Sequence, residues 1–368
     1  MAGWDEVLGK RGCPQFALYP HAGFAVRRPW CIRAVRAIGS IPAQLTPATG
    51  AHRTVSMTLL VTHPCFVNHD TGPGHPERPD RMRAIDRALA AERFQPLTRA
   101  EAPLRDDVEE QITLAHPRRY LDTLKALRGR AEHELIRLDP DTVMSPGTWE
   151  AAMRAVGAGL MAVDDVFSGA HKNAFIQARP CGHHAEKDRA MGFCLFNNAA
   201  IAALYARAAH GAERVAVVDF DLHHGNGTQD IFWSDKNAFL GSTHQMPLYP
   251  GTGALIETGD TGNICNAPLR PNDGSTPFRE AMRSRVLPAL EAFRPDIIVI
   301  SAGFDAHKAD PLGNLQLVED DFAFITGELM EIAARHCNGR LVSVLEGGYD
   351  LAALGRSVAI HVDQLMGA

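Results

Sequence analysis

From Met57 onward the chain alternates between short, almost wholly apolar runs and longer segments of helical period. The runs are Leu59–Thr62, Ala174–Gln177, Val215–Phe220, Ala238–Ser242, Ile297–Ser301 and Leu341–Leu345. Between them, helical spacing of apolar residues marks Arg78–Ala91, Val108–Arg128, Thr148–Phe167, Asn197–Ala209, Pro277–Phe293, Glu319–His336 and Leu351–Met366. A strand that is apolar on both sides must be covered on both faces, which is the situation of a parallel sheet between two layers of helices. The alternation therefore predicts an α/β fold, a three-layer α/β/α domain around a central parallel sheet joined by right-handed crossovers. No linker or internal repeat interrupts residues 57–368, so this stretch reads as one domain. At 45% hydrophobic and 22% charged residues, the chain has apolar material enough for such a core. No apolar run approaches the ~20 residues of a membrane span.

Residues 1–56 are different. They carry seven Lys and Arg against two acids, a net charge of +5, which leaves −11 for the remainder of a chain whose total is −6. The segment has no sustained helical or strand period. It is expected to be a disordered extension or an over-extended gene start, with an Arg-rich organellar transit peptide as the alternative to a cytoplasmic location. The overall acidic balance gives no general attraction to nucleic acid or to anionic membrane. Seven cysteines without a C-x-x-C pair make no disulfide framework and fit a reducing compartment.

In open parallel sheets, ligands bind beyond the carboxyl ends of the strands. Those ends are where the polar chemistry of this chain collects. Ala174–Gln177 leads into Arg179-Pro-Cys181-Gly-His183-His184. Val215–Val218 leads into Asp219-Phe-Asp221-Leu-His223-His224-Gly-Asn226. Ile297–Ser301 leads into Ala-Gly-Phe-Asp305, and Leu341–Leu345 into Glu346-Gly-Gly-Tyr349. In extended backbone the two-residue spacing of Asp219, Asp221 and His223 projects all three side chains to one side. Asp221 and His223, with Asp305 from another strand end, suit a catalytic Zn²⁺, which keeps three protein ligands and an open position. An isolated D-x-H is more often a capping or salt-bridged pair. Here a further carboxylate, Asp219, crowds the same place, and buried like charges need a cation or a proton.

His183 and His184 are adjacent, so on extended chain they point apart; Gly182 permits the turn that would bring both to one place. Beside a metal they are general acid–base candidates, with Asp219 and Asn226 available to orient them. Tyr349, after two glycines, offers a phenolic O–H where an oxyanion would develop.

The ordered set of His75-Pro-Glu-Arg-Pro79, Arg179-Pro-Cys-Gly-His-His-Ala185, Gly192-Phe-Cys194, Asp219–Gly227, Pro250-Gly-Thr-Gly253, Ser301-Ala-Gly-Phe-Asp305 and Glu346-Gly-Gly-Tyr349 resembles the histone deacetylase family. The resemblance covers nearly all of residues 57–368, and Asn226 with the Ser301–Asp305 run looks like its class II branch and the bacterial amidohydrolase type. It implies the arginase–deacetylase fold with an eight-stranded sheet, and a zinc-dependent amidohydrolase acting on Nε-acetyl-lysine. It further implies zinc on Asp221, His223 and Asp305, and His184 as general base and acid, oriented by Asn226. His183, oriented by Asp219, would be the electrostatic partner, and Tyr349 the group that polarises the acetyl carbonyl. Phe193, with Leu248 or Tyr249, would wall a narrow tunnel; Gly192 would accept the substrate amide or ease its approach; Arg81 aligns with an arginine near the acetate exit. The backbone carbonyls of Asp219, Asp221 and His223, with Ser242, match a monovalent-cation site, usually potassium, and Phe232, Asp235 and Ala238 a second one. The family usually has Pro where this chain has Cys181.

Two further substrate readings belong beside the acetyl-lysine protein or peptide. Polyamine-selective relatives carry a Glu where this chain has Leu312, and Leu cannot pair with a second ammonium, so small acetylated amines are the alternative substrate. A weakly catalytic acyl-lysine binding module is the other, against which Tyr349 argues. The sequence fixes neither the acyl chain nor an oligomeric state, and leaves a homo-oligomer open.

Overall fold

The computed structural model describes residues 58–367. The expected extension, residues 1–56, lies outside the described residues. In chain order the elements are β1 (Thr58–Thr62), α1 (Asp80–Ala88), β2 (Thr98–Glu101), α2 (Val108–Ile112), α3 (Arg118–Ala131), β3 (Ile136–Arg137), β4 (Val143–Met144), α4 (Thr148–Ser168), β5 (Asn173–Ile176), α5 (Asn198–His210), β6 (Val215–Asp219) and α6 (Asn226–Phe232). They continue with β7 (Ala238–Gln245), β8 (Ile264–Leu269), α7 (Ser275–Ala281), α8 (Leu287–Phe293), β9 (Ile297–Ala302), α9 (Glu319–His336), β10 (Leu341–Leu345) and α10 (Leu351–Leu365).

Eight strands form one sheet in the order β2-β1-β5-β10-β9-β6-β7-β8. Every neighbouring pair is parallel. The four central strands, β5, β10, β9 and β6, are buried along their whole length. Their Val, Ile, Leu and Phe residues are therefore apolar on both faces, and each fully buried aliphatic side chain contributes roughly 1.5–3 kcal/mol relative to exposure. Helices α4 and α5 pack together over one face, and α1, α10, α9 and α8 over the other. Because all strands run the same way, all their carboxyl ends open on one edge. The register sets Asp219 beside Ser301 and Ser242 on the neighbouring strands.

The departures from the sequence pattern have identifiable causes. Strands β2 and β8 are not among the apolar runs because they are the edges. Strand β2 reads Thr-Arg-Ala-Glu and alternates half-buried with exposed; β8 carries Pro268, which an edge tolerates because it removes a ladder donor. The predicted helix Val108–Arg128 is two helices, because Pro117 sits between them in extended conformation (ψ 146°) and starts α3. The predicted helix Pro277–Phe293 is interrupted by a π-helical turn at Met282–Val286, just ahead of Pro288, which has no N–H to continue the regular ladder. Strand β7 runs past Ser242 to Gln245, so Thr243 and His244 belong to it rather than to the following loop. Among the described residues, no helix is long and apolar enough to cross a membrane.

Candidate active site

Four strand ends converge as their spacing predicts. Oδ1 of Asp221 and Oδ2 of Asp305 each stand 3.2 Å from Nδ1 of His223. Asp221, His223 and Asp305 offer ligand atoms all within 4.8 Å of one another, and all three residues are buried. Backbone donors hold the carboxylates in place: His223 N–H donates to Asp221 Oδ1 (2.8 Å), Gly347 N–H to Asp221 Oδ2 (2.8 Å) and Leu222 N–H to Asp305 Oδ1 (2.8 Å). Gly347 is required for that approach, since a Cβ there would lie 2.1 Å from Asp305 Oδ2. Two ligands at about 2.0–2.2 Å from a tetrahedral zinc stand about 3.3–3.6 Å apart, so the separations fit such an ion closely. The electrostatics point the same way. On the protein's own charges, burial and then Asp221 raise the Asp305 carboxyl to about 7, and Asp221 and Asp305 outweigh burial to raise His223 to about 10. A divalent cation would offset the same crowding of buried charge.

His183 and His184 both reach this cluster through a turn, with ring centroids 4.0 Å apart. His183 Nδ1 lies 2.9 Å from Asp219 Oδ2, and its Nε2 lies 3.8 Å from Asp221 Oδ1. His184 Nδ1 lies 2.8 Å from Asn226 Oδ1. The Asn226 amide nitrogen donates to Glu186 Oε1 (2.8 Å), which fixes the amide so that its oxygen faces His184. His184 therefore carries its proton on Nδ1, and its Nε2 is an acceptor. The two imidazoles are pushed in opposite directions. Burial depresses both, but Asp221 and Asp219 outweigh it at His183, whose pKa stands well above the ordinary value. At His184 burial is reinforced by the charges of His183 and His223, and the pKa falls well below. Divergent neighbours of this kind are the mark of an acid–base pair.

Tyr349 is 9% exposed. Burial, followed by Cys181 and Asp305, pushes its phenol well above the ordinary value, so it remains an O–H donor. Phe193 stands edge-to-face with Tyr349 at 6.0 Å, and Tyr249 edge-to-face with His184 at 5.2 Å. Tyr249 touches the imidazoles, and its neighbour Leu248 is half-buried and packs partly against the main core. Gly192 adopts φ +55°, and a Cβ there would sit 2.4 Å from the His184 ring, so glycine lets this loop close on the imidazole. Leu312 is half-buried, and its N–H donates to Asp310 Oδ1 (3.1 Å). Ser242 is buried beside Asp219, with its Oγ 2.9 Å from His244 Nδ1. The carbonyls of Phe232, Asp235 and Ala238 do converge, but on the side-chain amide of Asn263, which lies 2.7–3.2 Å from all three.

Several site residues carry no signal as isolated letters. Arg81 is fully buried; it pairs with Glu77 at 2.9 Å, donates to the carbonyls of Gly348 (2.7 Å) and Glu346, and lies 5.1 Å from the centre of the Tyr349 ring. Arg179 grips both oxygens of the same Glu77 and the carbonyls of Phe66 and His69. Glu346 Oε2 accepts from the backbone of Gly182 (2.7 Å) and His183 (3.2 Å) and so holds the histidine turn. Asp310 Oδ2 accepts from the N–H of Tyr349 (2.7 Å) and Asp350 (3.3 Å) and sets the turn that presents the phenol. Conspicuous pairs such as Asp310-Pro311 show a turn; only the fold shows what the carboxylate holds.

Comparison with known proteins agrees with this geometry. Residues 75–365 match the histone deacetylase domain. The chain is 39% identical to a histone deacetylase-like amidohydrolase of Pseudomonas aeruginosa over 87% of its own length and 83% of that protein. It is also 39% identical to the chloroplastic histone deacetylase 10 of Oryza sativa subsp. japonica, over 96% of this chain and 88% of the other. An uncharacterised Synechocystis protein is 41% identical over 84% of this chain and 100% of its own length. The crystal structure of the HDA15 HD domain superposes with a TM-score of 0.78 at 36% identity, covering 85% of this chain and 89% of that one. With paired histidines, a phenol and a compact carboxylate–imidazole triangle gathered at the strand ends of an arginase–deacetylase sheet, the chain belongs to the histone deacetylase family and is a hydrolytic deacetylase.

Proposed function

We propose that the protein is a zinc-dependent deacylase of Nε-acyl-lysine in peptides or proteins. The observation that carries this reading is the Asp221–His223–Asp305 triangle set against two histidines of opposite protonation. When held there, zinc supplies the Lewis acidity that a poorly electrophilic amide requires. His184 takes a proton from the attacking water at Nε2, because Asn226 engages Nδ1, and returns it to the leaving lysine amine. His183 stays cationic between Asp219 and Asp221 and favours the negative charge that develops at the carbonyl. Tyr349 donates its O–H to that oxygen, an interaction stronger in the transition state than in the ground state. Phe193 and Tyr249 flank the path of the aliphatic stem. An uncharged acyl-lysine enters such a wall more easily than charged lysine, whose ammonium must be stripped of water. A potassium ion on the carbonyls of Asp219, Asp221 and His223, with Ser242, completes the proposed set of ions.

Leu312 favours acyl-lysine over small acetylated polyamines, because no carboxylate at that position is available for a second ammonium. The test is kcat/KM on an acetyl-lysine peptide, longer acyl-lysines and acetylpolyamines, before and after removal and restoration of zinc. Activity that survives complete chelation defeats the metal assignment; a preference for acetylpolyamines defeats the substrate assignment. A cytoplasmic location is proposed, with the organelle as alternative because rice and Arabidopsis relatives are named chloroplastic.

A further inference from the structure

A second cluster of ligand-type groups lies behind the histidine turn. Cys181, Cys194 and Glu346 offer ligand atoms all within 4.8 Å of one another, and all three residues are buried. The two sulfurs are 3.4 Å apart. Both face the carbonyl oxygen of Gly192, at 3.2 Å from Cys194 and 3.9 Å from Cys181. Glu346 is fully buried, and while its Oε2 holds the backbone of Gly182 and His183, its Oε1 has no hydrogen-bond partner. An unpartnered buried carboxylate oxygen is costly, and here it stands beside two soft donors.

We infer that Cys181, Cys194 and Glu346 form a second metal site, for a thiophilic divalent ion such as zinc in excess or cadmium, whose occupancy inhibits the enzyme. Two thiolates bound at about 2.3 Å to a tetrahedral ion stand about 3.8 Å apart. The sulfurs therefore need to separate by only a few tenths of an ångström. A disulfide would require them to close to about 2.05 Å and would need an oxidant; the ion is the closer fit. On binding, the two thiols release their protons to solvent and Glu346 binds through Oε1. The Gly192 carbonyl faces the fourth side. The alternative donors are few: a third cysteine is absent from the cluster, so two sulfurs and one carboxylate set a site selective for soft divalent ions over magnesium or calcium.

The location explains the inhibition. Cys181 immediately precedes Gly182-His183-His184, and Cys194 immediately follows Gly192-Phe193. Gly192 is packed against the His184 ring and Phe193 against Tyr349. Spreading the sulfurs and recruiting Glu346 shifts both walls of the site and the turn that carries its acid–base pair.

The test titrates the full chain, already holding one equivalent of zinc, with cadmium. It follows metal content after gel filtration, the ultraviolet cadmium–thiolate band and the number of thiols open to a thiol reagent. The expected result is one further equivalent per chain, a thiolate band, and two thiols protected. All three should be lost in Cys181→Ser and in Cys181→Pro, and the two variants guard against a folding defect in either. Excess zinc should inhibit the parent at concentrations that leave both variants unaffected. A band that persists in both variants, or no second equivalent in the parent, overturns the site. So does a parent that lacks two free thiols before any metal is added, which assigns the pair to a disulfide. The metal-content, absorption and thiol readouts do not use turnover, so failure of the deacylase reading leaves them interpretable.

Discussion

In the proposed reaction His184 and Tyr349 serve one amide, and each owes its protonation state to its surroundings. Asn226 sets the tautomer of His184. Burial, with Cys181 and Asp305 beside it, keeps the phenol of Tyr349 protonated. Tyr349→Phe removes one oxygen and leaves the packing against Phe193 and Arg81 intact. It should retain zinc and the fold while kcat falls by about 10²–10³-fold, the loss typical of one oxyanion donor. His184→Ala should cost about 10²–10⁴-fold, and the double variant less than the product of the two, because both serve one transition state. Steady-state kinetics on an acetyl-lysine peptide, with zinc measured in each variant, decides this. Near-parental kcat in Tyr349→Phe would make the phenol a packing group. At this scale much was legible in advance, because polar letters immediately after apolar runs must lie at strand ends. The histidine pair was legible only as a permitted turn.

The turn between β10 and α10 shows how an element presents a reactive group. Asp350 caps α10 by accepting from Ala353 N–H (2.8 Å), while Asp310, from the loop after β9, holds the N–H of Tyr349 and Asp350 from the other side. Asp310→Asn replaces one acceptor oxygen with an amide that presents hydrogens to donors. Such a mismatch costs about 1–3 kcal/mol locally. We expect kcat to fall with KM little changed and zinc retained; equal losses in Tyr349→Phe and in the double variant would show that Asp310 acts through the phenol, whereas full additivity would refute it. The two strands of the main sheet missed from sequence share a reason. An edge strand needs only one apolar face or none, so β2 and β8 lack the continuous apolar signature of the centre. The break at Pro117 was legible in the letter itself, but the flanking helical period on both sides masked it.

For the whole molecule, the buried Glu77 with Arg179 and Arg81 ties the loop before α1 to two strand ends. Burial alone would raise the Glu77 carboxyl, but the two guanidinium groups outweigh it and hold it below the ordinary carboxylate range. A depressed carboxylate stabilises the fold above its unfolded value, about 4.3, and that stabilisation is lost as pH falls through the folded value. His69, depressed to about 4 chiefly by burial, adds loss as pH drops below its unfolded value of about 6.5. Thermal unfolding should therefore show a steep fall in Tm in acid. Glu77→Gln should cost about 3–5 kcal/mol at neutral pH, as expected when one partner of a buried ion network is removed, and its Tm should decline less steeply in acid. An acid profile identical to the parent's would remove Glu77 from the account. Deleting residues 1–56 should leave kcat/KM unchanged, because every group of the site lies within residues 58–367; a truncated chain that folds but loses activity would contradict this.

Strand β10 is the last of the sheet to be synthesised, yet it lies between β5 and β9 in its middle. Until it arrives, the strands already made fall into two groups, β2-β1-β5 and β9-β6-β7-β8, that no strand joins, and each lacks the neighbour that covers one edge. Asp221 and Asp305 both belong to the second group, but Gly347, which anchors Asp221, and Tyr349 do not yet exist. Under the proposed zinc assignment, metal capture in the assembled site marks a finished chain. Ribosome-stalled chains ending before Leu341 should stay protease-sensitive and bind zinc weakly, and those extended through α10 should become resistant in a single step; gradual acquisition of resistance would show that the halves fold without their central strand.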